Sequence, residues 1–150
     1  MEKVFGAIER HDELINIGKR AILQFGYGED GDFGYDYRYT FSHVPTHNEV
    51  MRVIDNHVNK LTDEKILTGY VWNNIPVYLS TENQFNFKAA YDVAMQTQGA
   101  ILPITFKLGE GAEGTPEYYT FEDMATFSDF YTGAIAFIQQ TLAEGWQEKD

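Results

Sequence analysis

The chain contains no cysteine. Disulfide bonds, thiolate nucleophiles and Cys-ligated zinc sites are therefore excluded. Basic residues are scarce, since 11 Lys and Arg stand against 23 Asp and Glu, and the formal net charge is −12 at pH 7. A charge of this sign repels nucleic-acid phosphates and anionic membrane surfaces, so we expect neither nucleic acid nor a membrane as partner.

Long apolar runs are also missing. No stretch approaches the roughly 20 consecutive apolar residues that a membrane-spanning helix needs. The opening residues, M-E-K-V-F-G-A-I-E-R, lack the apolar core of a signal peptide. We expect no secretory leader and a protein that dissolves in water.

No constellation for nucleophilic catalysis is visible. The three serines, Ser42, Ser80 and Ser128, do not lie in a glycine-flanked elbow, and no glycine group matches a phosphate-binding loop. We therefore expect no catalytic residues and no enzymatic activity.

Metal and cofactor sites are not indicated either. His43 and His47 are four residues apart, but Pro45 between them breaks the helical spacing of a paired ligand site. The acidic stretch 29–36 fails as a calcium loop, because Gly34 and Tyr35 occupy positions that need an oxygen ligand and a glycine. A solvated acidic loop is the simpler interpretation, and cation binding there is left open.

What is present is enough for a core. The 150 residues are 43% hydrophobic and 15% aromatic, which predicts a single folded domain over residues 1–150. Its two parts are an N-terminal helix, hairpin and helix (residues 1–65) and a strand–turn–helix–strand–helix core (residues 66–150).

In the first part, apolar residues at helical intervals predict an amphipathic helix over 2–18. A strand at 20–25, a glycine-rich loop or wide hairpin connection at 26–34 and an alternating strand at 35–41 follow. Thr46 and Glu49 form a capping box, so a helix begins there, and a turn at 62–65 ends it.

In the second part, strands at 65–72 and 75–79 flank an Asn73-Asn74 turn. Thr81 with Gln84 predicts the next helix start, with Ser80 as the alternative cap. Gly99 has the position of a left-handed helix end.

Strands at 100–108 and 117–120 then enclose a loop at 109–116. Thr120 with Asp123 caps a last helix, and Gly145 is expected to end it, with Trp146 folded back onto it. The predicted fold class is α+β, with mostly antiparallel sheets of hairpins and three to four helices packed on one face.

One strand suggests a binding surface. Tyr35, Tyr37 and Tyr39 point to the same side of strand 35–41, beside the glycine-rich loop. Tyrosine offers a large contact area with a polar tip, which suits a small-ligand or carbohydrate site. The alternative is that these rings form the core face of the sheet.

The run V-W-N-N-I-P-V-Y-L-S-T-E-N-Q-F-N-F-K-A-A-Y (71–91) resembles an uncharacterised family of phage and prophage proteins. So do L-P-I-T-F-K-L-G (102–109), Y-Y-T-F-E-D-M-A-T-F-S-D-F-Y (118–131) and E-G-W-Q-E-K-D (144–150). Members occur alone or at the C-terminus of tail-fibre assembly proteins. The likeness covers about residues 66–150, and its framework positions are Trp72, Tyr78, Glu82, Asn83, Phe87, Tyr91, Phe106, Phe121 and Trp146.

The resemblance implies a phage setting and no catalytic residues. We expect a non-enzymatic tail-associated component or assembly factor that works through protein–protein contacts with a phage structural or assembly protein. A small-ligand or carbohydrate-binding module is the alternative. The expected location is the cytoplasm of a bacterial host, with virion association left open. An exposed edge at 75–79 or the last helix allows a homo-oligomer.

Overall fold

The computed structural model describes residues 1–9 and 11–149. It contains three α-helices and eight β-strands in antiparallel sheets, with 45% helix and 32% strand. The predicted α+β class is thus confirmed. Close contacts divide the chain into two compact units, residues 1–57 and 58–150, and helix α1 contributes residues to both.

The first unit is built on a four-stranded sheet. Its strands are β1 (Glu2–Phe5), β2 (Glu13–Ile17), β3 (Arg20–Asp30) and β4 (Phe33–Phe41), in the order β1-β4-β3-β2. One face of β3 and β4 supplies the buried side chains, onto which apolar residues from the first half of α1 (His47–Thr68) pack. These residues are Ala21, Leu23, Phe25, Phe41, Val50, Val53 and Ile54.

The helix predicted over 2–18 is wrong. Residues 2–5 and 13–17 form β1 and β2, each hydrogen-bonded to a strand of the central hairpin, and residue 10 lies outside the described residues. The apolar residues that suggested a helix do not form one buried stripe, since Ile8 is 80% exposed whereas Leu14 packs against the core. Gly6 and Gly18 have φ of 81° and 62°, which an α-helix does not accommodate, and pairing with distant strands outweighs the weak local preference.

The segment 26–34, predicted as a loop or a wide hairpin connection, is a hairpin connection made mostly of strand residues. β3 continues to Asp30 and β4 starts at Phe33, with a register shift between Phe25 and Gly28. At Gly28, a side chain would collide with the ring of Tyr35. Glycine here makes room for an aromatic ring within a long hairpin, and a composition argument cannot separate that role from loop flexibility.

The capping box at the start of α1 is confirmed. Glu49 N donates to Thr46 Oγ1 at 3.2 Å, and Thr46 N donates to Glu49 Oε1 at 3.3 Å. The turn predicted at 62–65 is wrong, because the helix continues to Thr68. Thr62 and Lys65 instead lie against the last helix, where Lys65 Nζ is 2.8 Å from Glu144 Oε2.

The second unit contains two hairpins. β5 (Tyr70–Trp72) and β6 (Ile75–Val77) are joined by Asn73 and Asn74 with φ of 52° and 61°, which confirms the predicted turn. β7 (Ile104–Glu110) and β8 (Pro116–Phe121) form the other hairpin, closed by a short 3₁₀ turn. The strand predicted from residue 100 therefore starts four residues later.

Helix α2 (Thr81–Gln96) begins after Ser80, whose hydroxyl accepts from Asn83 N at 3.1 Å. Ser80, the alternative cap, is thus the actual one, and Thr81 is the first helical residue. Gly99 has the predicted positive φ, 84°. The predicted apolar stripe is confirmed, since Phe87 and Ala94 are buried.

Helix α3 (Met124–Lys149) is capped by Asp123, which accepts from Thr126 N at 2.7 Å. That hydrogen bond is the largest cause of a lowered pKa for the Asp123 carboxyl. Thr120 takes no part in the cap and bonds Thr105 across the β7–β8 hairpin. Gly145 does not end the helix as predicted, because it lies inside it, buried against Thr62.

Aromatic rings fill the core of the second unit. Phe121, Phe127 and Phe130 are fully buried, with ring centroids of Phe121 4.9 Å from Phe127 and 5.0 Å from Phe130. Trp72 packs on the same cluster and donates from Nε1 to Asp129 Oδ2 at 3.0 Å. Trp146, expected to fold back onto the helix end, is instead a helical residue that is 54% exposed.

Candidate functional site

The three tyrosines of β4 lie on the sheet face that packs against α1. Tyr37 and Tyr39 are half-buried beside the core of the first unit. The ring of Tyr37 has its centroid 4.1 Å from that of His57 on α1 and 6.1 Å from that of Phe25. Their geometry matches the core alternative stated above.

Tyr35 lies further along the same face and is covered by β1. Lys3 Nζ is 4.1 Å from the centroid of the Tyr35 ring and 5.3 Å from that of Phe5. An ammonium at this distance is attracted by the ring electrons. Lys3 thus adds a cation–π contact to the pairing of β1 with β4.

The acidic stretch 29–36 lies along this hairpin. Asp36 is 1% exposed, and its Oδ1 is 3.0 Å from Arg38 Nε. Glu29, Asp30 and Asp32 are exposed. Among the described residues, no three His, Asp or Glu side chains are grouped so that they would hold a metal ion.

A groove of about 750 Å³ opens on the surface of the second unit. Its walls are residues 76–78 of β6 and the segment after it, residues 107–110 of β7, and the first turn of α2. Thr68, the last residue of α1, also lines it. This volume lies within the range of roughly 300–1,000 Å³ that is usual for ligand sites.

Backbone hydrogen bonds fix the floor of the groove. Tyr78 N donates to Leu108 O at 2.7 Å, which joins the two hairpins. Asn83 Nδ2 donates to Tyr78 O at 2.8 Å and ties α2 to the same segment. A side chain at Gly109 would collide with the carbonyl of Pro76, so glycine permits this close approach.

Charged side chains line the groove on both sides. Lys107 Nζ is 3.7 Å from Glu110 Oε1, and both side chains are about half exposed. Glu82, in the first turn of α2, also lines the groove, and a carboxylate there complements the helix dipole. These groups form a site that can make ionic contacts with a ligand.

One exposed aromatic residue lines the groove, and two more are neighbours of residues that line it. Tyr78 lines it and is 45% exposed, while Phe85, one helical turn after Glu82, is 69% exposed. Tyr118 is paired directly with Lys107 across the β7–β8 hairpin and is 63% exposed. We call Tyr78, Phe85 and Tyr118 the aromatic rim.

Sequence reasoning did not find this groove. Tyr78, Glu82 and Asn83 were named only as framework positions of the resemblance, and Phe85 and Tyr118 were not singled out. One signal was present, because Phe85 lies outside the apolar stripe of α2 that contains Phe87. A large aromatic residue off the buried face has no core role to explain it.

Searches for similar proteins give no further guide, since no family model, no curated protein and no solved structure matches this chain. None of the helices in the described part of the chain has the length and hydropathy needed to span a lipid bilayer.

Proposed function

We propose that the chain is a non-enzymatic phage or prophage protein that works through protein–protein contacts, as a tail-associated component or assembly factor. The resemblance of residues 66–150 supports the phage setting. The observation that carries the contact function is the aromatic rim around the groove of the second unit. Aromatic residues are enriched at protein interfaces because they offer large, rigid contact areas with few rotatable bonds.

The rim keeps a large aromatic area available for contact. Phe85 and Tyr118 keep most of their surface in water although neighbouring aromatics such as Phe87 and Phe121 are buried. Burial of apolar area contributes about 25 cal/mol per Å², so covering both rings would stabilise a complex appreciably. The groove between them adds ionic groups that restrict the choice of partner.

Site-specific photocrosslinking tests this proposal. Benzoylphenylalanine replaces Phe85 or Tyr118, in turn, in cells in which the parent phage is being induced, and crosslinked species are identified by mass spectrometry. We expect fibre or baseplate proteins to be captured from both rim positions. Trp146 is the matched control, since it is an exposed aromatic residue of the same unit outside the rim.

Two results would contradict the proposal. Capture of no virion or assembly protein from either rim position would remove the contact function. Equal capture from Trp146 would show that crosslinking follows exposure and not the rim. Purified virions, probed for the protein, separate a tail-associated component from an assembly factor that leaves before maturation.

A further inference from the structure

The groove of the second unit carries a net negative charge. Glu82 and Glu110 contribute two carboxylates, and Lys107 contributes one base that already lies 3.7 Å from Glu110. The N-terminal end of α2 adds about half a positive charge, which offsets only part of the Glu82 carboxylate. The chain as a whole has a net charge of −12, so its long-range field has the same sign.

At Pro76 and Tyr78, the backbone of the groove offers little to a ligand. Tyr78 uses its N–H for Leu108 O and its carbonyl for Asn83 Nδ2. Pro76 has no N–H to donate. A partner strand therefore lacks the free ladder groups that it would need in order to extend the sheet at this segment. Recognition in the groove falls to side chains.

We propose that the groove binds an arginine-bearing segment of a protein partner, with the guanidinium paired to the Glu82 carboxylate and placed against the Tyr78 ring. This inference rests on the proposed contact function. Arginine fits better than lysine, because its planar guanidinium pairs with a carboxylate through two parallel hydrogen bonds and also stacks on aromatic rings. Apolar residues that flank the arginine then cover Phe85 and Tyr118.

The Lys107–Glu110 pair sets the strength of this site. Lys107 neutralises a carboxylate that would otherwise attract the arginine, and an incoming guanidinium is also repelled by the Lys107 ammonium. Removal of Lys107 should therefore tighten binding, whereas removal of Glu82 should weaken it. Both changes also follow from the net charge of the protein, so the proposed site is separated from general attraction by comparing E82Q with the loss of a carboxylate outside the groove.

A titration followed by ¹⁵N NMR tests the proposal on the full chain. The probe is an acetylated, amidated hexapeptide of alternating glycine and arginine, and the comparison peptide has glutamine in place of arginine. We expect the arginine peptide to shift amides of residues 78–83 and 107–110 and the glutamine peptide to leave them unchanged. E82Q should weaken binding by about 1.5- to 5-fold, the range for an exposed ion pair, and K107Q should strengthen it by a similar factor.

E148Q provides the matched control. Glu148 is an exposed carboxylate on α3 that does not line the groove, and its replacement removes the same charge as E82Q. We expect E148Q to bind the arginine peptide like the unaltered protein. Dispersed NMR spectra of each variant confirm that it remains folded.

Several outcomes would overturn the proposal. Equal weakening by E82Q and E148Q, or shifts spread over other acidic surfaces, would show unspecific attraction. If a peptide of alternating glycine and glutamate shifts the groove amides, the groove prefers a negatively charged ligand, opposite to the proposal. Glucose or N-acetylglucosamine shifting them while the arginine peptide does not would assign the groove to saccharides. Capture from Phe85 and Tyr118 together with any of these results would leave the contact function standing and reject only the arginine inference.

Discussion

Gly145 on α3 and Thr62 on α1 form a contact whose mutation tests the packing of the second unit. A Cβ at position 145 would lie 2.5 Å from Thr62 Oγ1 and 3.5 Å from Thr62 Cβ and Cγ2. Only the first distance is too short for real atoms. Replacement of Thr62 by alanine removes the two outer atoms and leaves the Cβ at an ordinary contact distance.

Two opposing effects act in Gly145→Ala. Alanine in a helix interior is favoured over glycine by about 1 kcal/mol. Overpacking against a stiff, β-branched threonine costs about 1–3 kcal/mol. We therefore expect the single variant to be destabilised by up to about 2 kcal/mol. In the Thr62→Ala background the clash is absent, and the same change should stabilise by about 1 kcal/mol.

Urea unfolding of the four proteins of this cycle, followed by far-UV circular dichroism, measures these free energies. The decisive quantity is the change of sign between the two backgrounds. If Gly145→Ala stabilises the unaltered protein, the two helices do not approach as closely as described. If it destabilises both backgrounds equally, Gly145 is needed for its backbone conformation, as a C-terminal cap would be.

Three further results are expected from the same unit. In urea titrations, Ser80→Ala should lower the free energy of unfolding by about 1 kcal/mol, because Ser80 is the helix cap, whereas Thr81→Ala should lower it by much less. Equal losses in the two variants would contradict the assignment of Ser80 as the cap. Phe121→Ala should lower the free energy of unfolding by about 3–5 kcal/mol in the same assay, because the Phe121 ring is fully buried. Phe85→Ala should change it by no more than about 0.5 kcal/mol, because the Phe85 side chain is 69% exposed. Burial raises the pKa of Tyr70 from 10 to about 12, so its neutral form is favoured in the folded state. Its contribution to the free energy of unfolding should be complete below pH 10 and be lost as the pH rises towards 12. Phenylalanine cannot ionise, so Tyr70→Phe should lose less free energy of unfolding between pH 10 and 12 than the unaltered protein, as measured by urea titration at each pH.

The candidate site shows why function is harder to read from sequence than fold. Residues 68, 76–83 and 107–110 come from α1, the β5–β6 hairpin, α2 and β7, and only packing brings them together. The tyrosines of β4 were visible as a pattern, yet alternation along a strand is the same for a ligand face and a core face. Which one it is depends on what contacts the strand, and here Tyr37 and Tyr39 pack beside the core of the first unit while Tyr35 contacts Lys3.

The sequence by itself determined the features that depend on neighbours three or four residues away. The Thr46–Glu49 capping box, the Asn73-Asn74 turn and the buried stripe of α2 all follow from local hydrogen bonds or helical spacing. The net charge and the lack of cysteine likewise need no structure. The local structures form from short stretches of chain and do not depend on what packs around them.

Tertiary contacts determined the secondary structure of the segments whose local preference for helix or strand was weak. Residues 2–5 and 13–17 became two strands because distant strands supply their hydrogen-bond partners. Residues 62–68 continued as helix because α3 packs against them, and Gly145 serves that contact from inside its own helix. A difference of about 1 kcal/mol per residue in local propensity is small beside the free energy of pairing and packing, so contacts between distant residues settled the structure there.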